Sequence, residues 1–271
     1  MKTWMACTAA LLISTTVFAQ WPPYPTPNVP RTPNGEPDFE APAPRTAHGH
    51  PDFTGIWERD PPRVDDDGEP LAPQPGTPPL ATFFDIGANI EGGAPYLPWA
   101  EQLRDQRVAD GMKDNPDANC LPMGHMQLHL HPQPRKIIQT PDVIVMLYEG
   151  NAGIRQIFTD GRASPDNDPW PWWYGYSVGH WEDDELVVTT THLRDGGWLD
   201  VNGSPFTDKG RIIERFRRPD YGHMEVDVTI DDSTAYSEPF TVRVNHHIML
   251  DTELIEFICN ENEKSTRYFD P

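Results

Sequence analysis

Downstream of Cys120 the chain is written in runs of roughly four to eight residues whose polarity alternates. Turn pairs punctuate the runs: Asp160-Gly161, Asp183-Asp184, Asn202-Gly203 and Asp251-Thr252. A period of two with this punctuation predicts an antiparallel sheet closing into a barrel or a sandwich. One helix is predicted upstream, PWAEQLRDQRVADG, from Pro98 or Trp99 to about Gly111. Proline opens it, Gly111 closes it, and Trp99, Leu103 and Val108 mark one face.

Charge phases two of the hairpins. In RIIERFRRPDYGHMEVDVTID the second strand puts Met224, Val226, Val228 and Ile230 on one side and Glu225, Asp227 and Thr229 on the other. A loop from Arg217 to His223 sets Phe216 opposite Met224 and Arg215 opposite Glu225, so that opposite charges meet on the wet side. The same phase turns Ile212, Glu214 and Phe216 inward. A buried carboxylate must be paired, hydrogen-bonded or protonated. Its pKa rises where desolvation dominates and stays low where an arginine reaches it. The second hairpin pairs PFTVRVNHHIML with DTELIEFICNE across Asp251-Thr252. It places His246 inside with Phe240, Val242, Val244 and Ile248, facing Ile255, Phe257 and an inward Cys259, with His247 opposite Glu256 outside. Glu214 and His246 would then form an acid/base pair in one cavity, although a lone core histidine also has an ordinary structural reading.

PWPWWYGYSVGHW, from Pro169 to Trp181, holds four tryptophans, two tyrosines and a histidine. It runs into a third hairpin turning at Asp183-Asp184. Ser177, Gly179, Trp181, Leu186, Val188, Thr190 and His192 take one side, and Tyr174, Tyr176, Val178, His180 and Val187 the other. Both sides carry apolar groups, so polarity does not phase it. Gly175 and Gly179 predict a bend or a close approach. Tyr176 and His180 are candidate polar orienters of a substrate. Trp172, Trp173, Tyr174, Trp181, His192 and Trp198 are candidate ligand-binding residues, with the tryptophans stacking at a barrel rim or simply capping it. In HMQLHLH an extended backbone would put His125, His129 and His131 on one face. No acid or cysteine completes a ligand set in that segment, so neither metal nor cofactor is expected.

The N-terminus changes the picture. MKTWMACTAALLISTTVFAQ has one lysine, an apolar run, and Val17 and Ala19 at the positions a signal peptidase reads, which predicts a signal peptide over residues 1–19 and a periplasmic or secreted protein. The apolar run is too short to span a bilayer, so no membrane insertion is expected. Residues 20–50 form a proline-rich arm expected to be extended and largely unstructured, ahead of a barrel domain over 51–271. Asp60 to Pro79 reads as a second irregular stretch, and its VDDDGEP lacks the ligand spacing of a calcium loop. The chain carries 42 acidic against 21 basic residues, a net charge of −21, and cleavage would remove Lys2. Such a surface repels phosphate backbones and anionic lipids, so nucleic acid is excluded as a partner. Cleavage also removes Cys7 and leaves Cys120 and Cys259, which pair most simply with each other in an oxidising compartment; two unpaired buried thiols are the alternative. Serine-hydrolase elbows, phosphate loops and dinucleotide fingerprints are absent from the sequence.

PDFTGIW, KIIQTPDVIVMLYE, RQIFTDGR, YGYSVGHWEDDELVVTTT, WLDVNGSPFTD, ERFRRPDYGHMEVDVTIDD and ELIEFICNEN together resemble a family of exported bacterial proteins of unknown function. The resemblance spans about Pro51 to Asn262 and implies an exported, mainly β protein. It brings no activity, and the histidines of HMQLHLH fall outside its phrases. TGIW also resembles the opening of lipocalins, which suits a lipocalin-like barrel. The function expected on these grounds is uptake of a small apolar or aromatic molecule, with cofactor-independent acid/base chemistry of lyase, hydratase or isomerase type by Glu214 and His246. A non-catalytic carrier and a cell-envelope accessory tethered by its arm are the rivals.

Overall fold

The structure is a computed structural model that describes residues 24–60, 76–165 and 170–261. The expected signal peptide, the acidic VDDDGEP segment and the start of the aromatic stretch lie outside the described residues. Eleven strands are described: β1 (Gly55–Arg59), β2 (Arg135–Gln139), β3 (Val143–Tyr148), β4 (Ile154–Phe158), β5 (Tyr176–Glu182), β6 (Glu185–Thr191), β7 (Gly197–Trp198), β8 (Pro205–Phe206), β9 (Arg211–Arg217), β10 (His223–Asp231) and β11 (Phe240–Met249). Two α-helices join them, α1 (Pro98–Ala109) and α2 (His125–Leu130).

Nine of these strands close into a barrel in the order β1-β11-β10-β9-β6-β5-β4-β3-β2, and β7 and β8 pair separately. The protein is therefore mainly β, a closed lipocalin-like barrel. Its pairings are antiparallel except for the parallel junction of β4 with β5, where Ile157 meets Ser177.

Alternation decides which residues fill the barrel. Met224, Val226, Val228 and Ile230 of β10 face Val242, Val244 and Phe240 of β11 as buried neighbours. Outside, Arg215 reaches Glu182 at 2.9 Å, and Arg243 reaches Asp227 at 2.6 Å and Glu225 at 3.1 Å. Arg217 also contacts Glu185 and Asp227. The more exposed of these pairs contribute little each, while Arg243 and Asp227 are mostly shielded from solvent, and together they fix register. The β9–β10 register differs by two residues from the sequence expectation: Arg217 is opposite Glu225 and Arg215 opposite Asp227. The loop is shorter than charge pairing alone suggested. A shift of two keeps every residue on its face, so Glu214 still points inward.

The expected hairpin after β11 does not form. β11 has β10 on one edge and β1 on the other, so no edge remains for residues 252–259. They run as an irregular segment with Ile255, Phe257 and Ile258 exposed, and Glu58, not Glu256, lies opposite His247. Cys259 is accordingly outside the barrel wall, where it is bonded to Cys120 with Cα atoms 5.6 Å apart.

The proline-rich arm is extended but tied down, which corrects the expectation of a largely unstructured segment for its described part. Tyr221 and Gly222 donate backbone hydrogen bonds to the carbonyls of Ala41 and Phe39 at 2.7 and 2.8 Å, and Arg45 pairs with Asp184 at 2.6 Å. Proline lowers the entropy that docking costs. In α1 it is Ala100 that is buried; Trp99 and Val108 are exposed, and the Trp99 indole donates to the carbonyl of Thr234 at 2.8 Å. Among the described residues no helix is long and apolar enough to cross a membrane.

Candidate functional site

Glu214 sits at the middle of β9 on the inner face and is fully buried. Its partner comes from β4, whose alternation turns Arg155 and Ile157 inward together. Nη1 of Arg155 donates to Oε1 of Glu214 at 2.8 Å, and Nη2 is bonded to Oε2. The guanidinium is completed by Ser177 Oγ at 3.1 Å and Thr190 Oγ1 at 3.0 Å. Burial alone would raise the pKa of Glu214, but Arg155 and the neighbouring histidines overcome it and hold the carboxyl well below its ordinary value. Of the two outcomes open at the sequence level, the arginine-paired carboxylate is the one realised. Glu214 is a standing anion, which removes it as a proton donor.

The histidines that reach Glu214 come from an element the sequence misrepresents. HMQLHLH alternates like a strand, yet residues 125–130 form α2, with all six buried. Helical spacing puts His125 and His129 on one face. His129 Nε2 donates to Oε1 of Glu214 at 2.7 Å, which leaves Nδ1 as the lone-pair nitrogen, buried and without a hydrogen-bond partner. Desolvation lowers its pKa to about 4, so it is neutral. His125 Nδ1 donates to the carbonyl of Tyr174 at 3.1 Å, and its Nε2 lies 3.5 Å from Oε1 of Glu214, outside hydrogen-bond geometry. The helix needs Gly124 before it, because a Cβ there would overlap the backbone of Trp198. Gly124→Ala is expected to shift α2 and to destabilise the barrel by about 1–3 kcal/mol, the usual range for overpacking; urea denaturation measures it, and an unchanged midpoint would show that the helix has slack.

His246 is inside, as its strand phase requires, but it is not the partner of Glu214. Its Nε2 accepts from Nη1 of Arg135 at 2.8 Å, so the neutral ring carries its proton on Nδ1, which has no partner. Desolvation first, and the Arg135 charge second, hold its pKa well below the usual histidine range. Its ring lies 6.3 Å from that of His129. Arg135 also donates to the carbonyls of His129 and His131 at 3.2 and 3.1 Å, while its Nε is unpartnered. Burial lowers its pKa to about 10, still a cation at neutral pH, and among the described residues no carboxylate pairs with it.

The other candidates lie elsewhere. Tyr176 and His180 face outward, Tyr176 tilted against Phe158 with ring centroids 5.2 Å apart and His180 bonded to Glu182 at 3.1 Å. They are removed from the interior because β5 buries Ser177 and Gly179 instead. Trp181 is half-buried and stacked against His50 at 4.3 Å. Trp198 is buried beneath Arg107, whose guanidinium lies 4.5 Å from the ring, so it packs against α1. Trp172 is exposed, Trp173 lies 4.8 Å from the Arg194 guanidinium, and His192 bonds Thr191 at 2.8 Å. Tyr174 alone of this group borders the centre, its hydroxyl buried without a partner and its ring 6.5 Å from Tyr148.

Clefts of about 560 and 610 Å³ lie between the arm and the barrel wall. Neither is lined by Glu214, His129 or Arg135. A smaller cleft of about 230 Å³, bordered by Asp60, Asp220, His223 and Asn245, reaches His246. The alternation in IRQIF and RKIIQ carried the signal for Arg155 and Arg135, since each shares a face with an inward isoleucine. Fold and site define a closed β-barrel with an ionised, hydrogen-bonded centre in place of an apolar cavity. No family model, curated protein or solved structure matches the chain.

Proposed function

We propose that this is an exported barrel protein that admits a small molecule to its polar centre and moves a proton on it. The observation that carries this reading is a set of buried polar atoms without partners on three residues in mutual contact: His129 Nδ1, His246 Nδ1 and Arg135 Nε. Each unmade hydrogen bond costs about 1–3 kcal/mol, which a core serving only stability has no reason to keep. Their polarity assigns roles. His129 offers a lone pair, held in its tautomer by Glu214, and acts as the base; Glu214 is its positioning residue. Arg135 and His246 offer N–H donors to an oxygen on which negative charge develops, as when a proton leaves a carbon beside a carbonyl. The molecule is therefore a small one bearing a carbonyl or carboxylate oxygen, more polar than the sequence suggested, and the chemistry is of lyase or isomerase type. The cleft beside His246 gives the approach.

The test is a thermal-shift screen of small carbonyl compounds and carboxylates, with turnover followed by mass spectrometry. His129→Asn, which keeps a polar group of similar size, is expected to lower turnover by about 10²–10⁴-fold, the usual weight of a general base. Turnover equal to wild type in that variant would end the base assignment. Binding without turnover in the wild type would favour the carrier reading, which the sealing of the centre by α2 supports. Export is supported by the leader, the disulfide and the resemblance to exported proteins. The mass of protein recovered outside the cytoplasm is expected to begin at Gln20, and recovery of intact residues 1–19 would contradict it.

A further inference from the structure

His125 is the buried group that proton transfer leaves over. Because its Nδ1 is committed to the Tyr174 carbonyl, Nε2 holds the lone pair, and that lone pair faces Oε1 of Glu214 at 3.5 Å in a side chain 2% exposed. Two electron-rich atoms opposed in a low-dielectric interior repel unless a positive centre lies between them. His129 Nε2 stands 2.7 Å from the same oxygen, and one donor atom from each of His125, His129 and Glu214 lies within 4.8 Å of the others. The histidines are four apart on α2, so a single helix face presents both.

We propose that His125 Nε2, His129 Nε2 and Oε1 of Glu214 form a binding site for a divalent transition-metal ion of the zinc class. Two imidazoles and a carboxylate suit Zn²⁺ or Co²⁺, whereas Mg²⁺ and Ca²⁺ seek oxygen donors. The groups behind the ligands are in place: the Tyr174 carbonyl orients His125, and Arg155 orients Glu214. Arg155 shares the carboxylate with the ion, so the net charge of the site, not its geometry, limits affinity. Ligands about 2.0–2.1 Å from one ion stand roughly 3.0–3.4 Å apart, so the His129–Glu214 gap opens by a few tenths of an ångström on loading.

Loading has a chemical consequence. When the ion binds Nε2 of His129, the proton there moves to Nδ1, and a ring protonated at Nδ1 is no longer a base. The metal thus switches off the proton transfer proposed above, and this regulatory part rests on that reading; the site itself does not.

The mature protein with its disulfide intact is stripped with a chelator, dialysed and titrated with Zn²⁺ by calorimetry and with Co²⁺ by visible absorption. One equivalent and a Co²⁺ band typical of nitrogen and oxygen ligands are expected. Affinity should fall at least tenfold in His125→Ala and be lost in His125→Ala/His129→Ala, with circular dichroism checking the fold. His247→Ala controls for surface histidines and should bind as wild type. Absence of saturable binding in the wild type, which needs no variant, overturns the site, as does full affinity in a folded His125→Ala. Stoichiometric zinc without turnover of any compound leaves the metal standing and removes the acid/base reading. Turnover undiminished at saturating zinc removes the regulation.

Discussion

Glu214→Gln is expected to lower the stability of the protein by about 3–5 kcal/mol, the cost of removing one partner from a buried ion pair. The amide leaves the Arg155 guanidinium fully buried with only Ser177, Thr190 and half of its former acceptor capacity. For a domain of this size that corresponds to a fall in Tm on the order of 10 °C. Arg155→Met should cost a similar amount by stranding the carboxylate. The double variant Arg155→Met/Glu214→Leu should recover most of the loss, because the desolvation penalty of both charges disappears with them. A double-mutant cycle on thermal melts measures the coupling. If Glu214→Gln costs under about 1 kcal/mol, the carboxylate is not carried as a buried ion, and the orientation of His129 loses its cause.

Cys259→Ser is the second large effect. The bridge closes a loop of 139 residues, for which chain entropy allows about 5 kcal/mol. The realised value should be smaller, about 2–4 kcal/mol, because residues 252–259 pair with no strand and gain freedom in the folded protein too once released. Urea denaturation of reduced and oxidised protein gives the difference. Limited proteolysis should cut near Ile255, Phe257 and Ile258 only after reduction. A reduced protein as stable as the oxidised one would mean that the tail is held by its other contacts, among them the backbone N–H of Ile255 on Glu149 at 3.1 Å.

Alternation made the inner faces of β9, β10 and β11 legible, and with them the burial of Glu214 and His246, because a period of two survives any even slip of register. It could not make the partners legible. Glu214 meets residues 85 and 59 positions away, His129 and Arg155, and nothing local to β9 names them. α2 is hidden in the sequence because six residues are too few for a helical period to show, and His-x-x-x-His satisfies both periods at once. DTELIEFICN has the pattern of a strand, but the closed ring leaves it no edge. Local pattern sets preference, and the count of free edges sets outcome.

That ring has one further implication, for the order of events during synthesis. The seam is sealed by β1, made early, lying between β2 and β11, made nearly 200 positions later. Trp57 and its neighbours can pair with β2 once residue 139 exists, but their other edge stays open until almost the whole polypeptide is made, and only then can the ring shut. Closure of so distant a contact is slow. A nascent chain halted before Phe240 should bind holding chaperones, and one extended past Met249 should let them go.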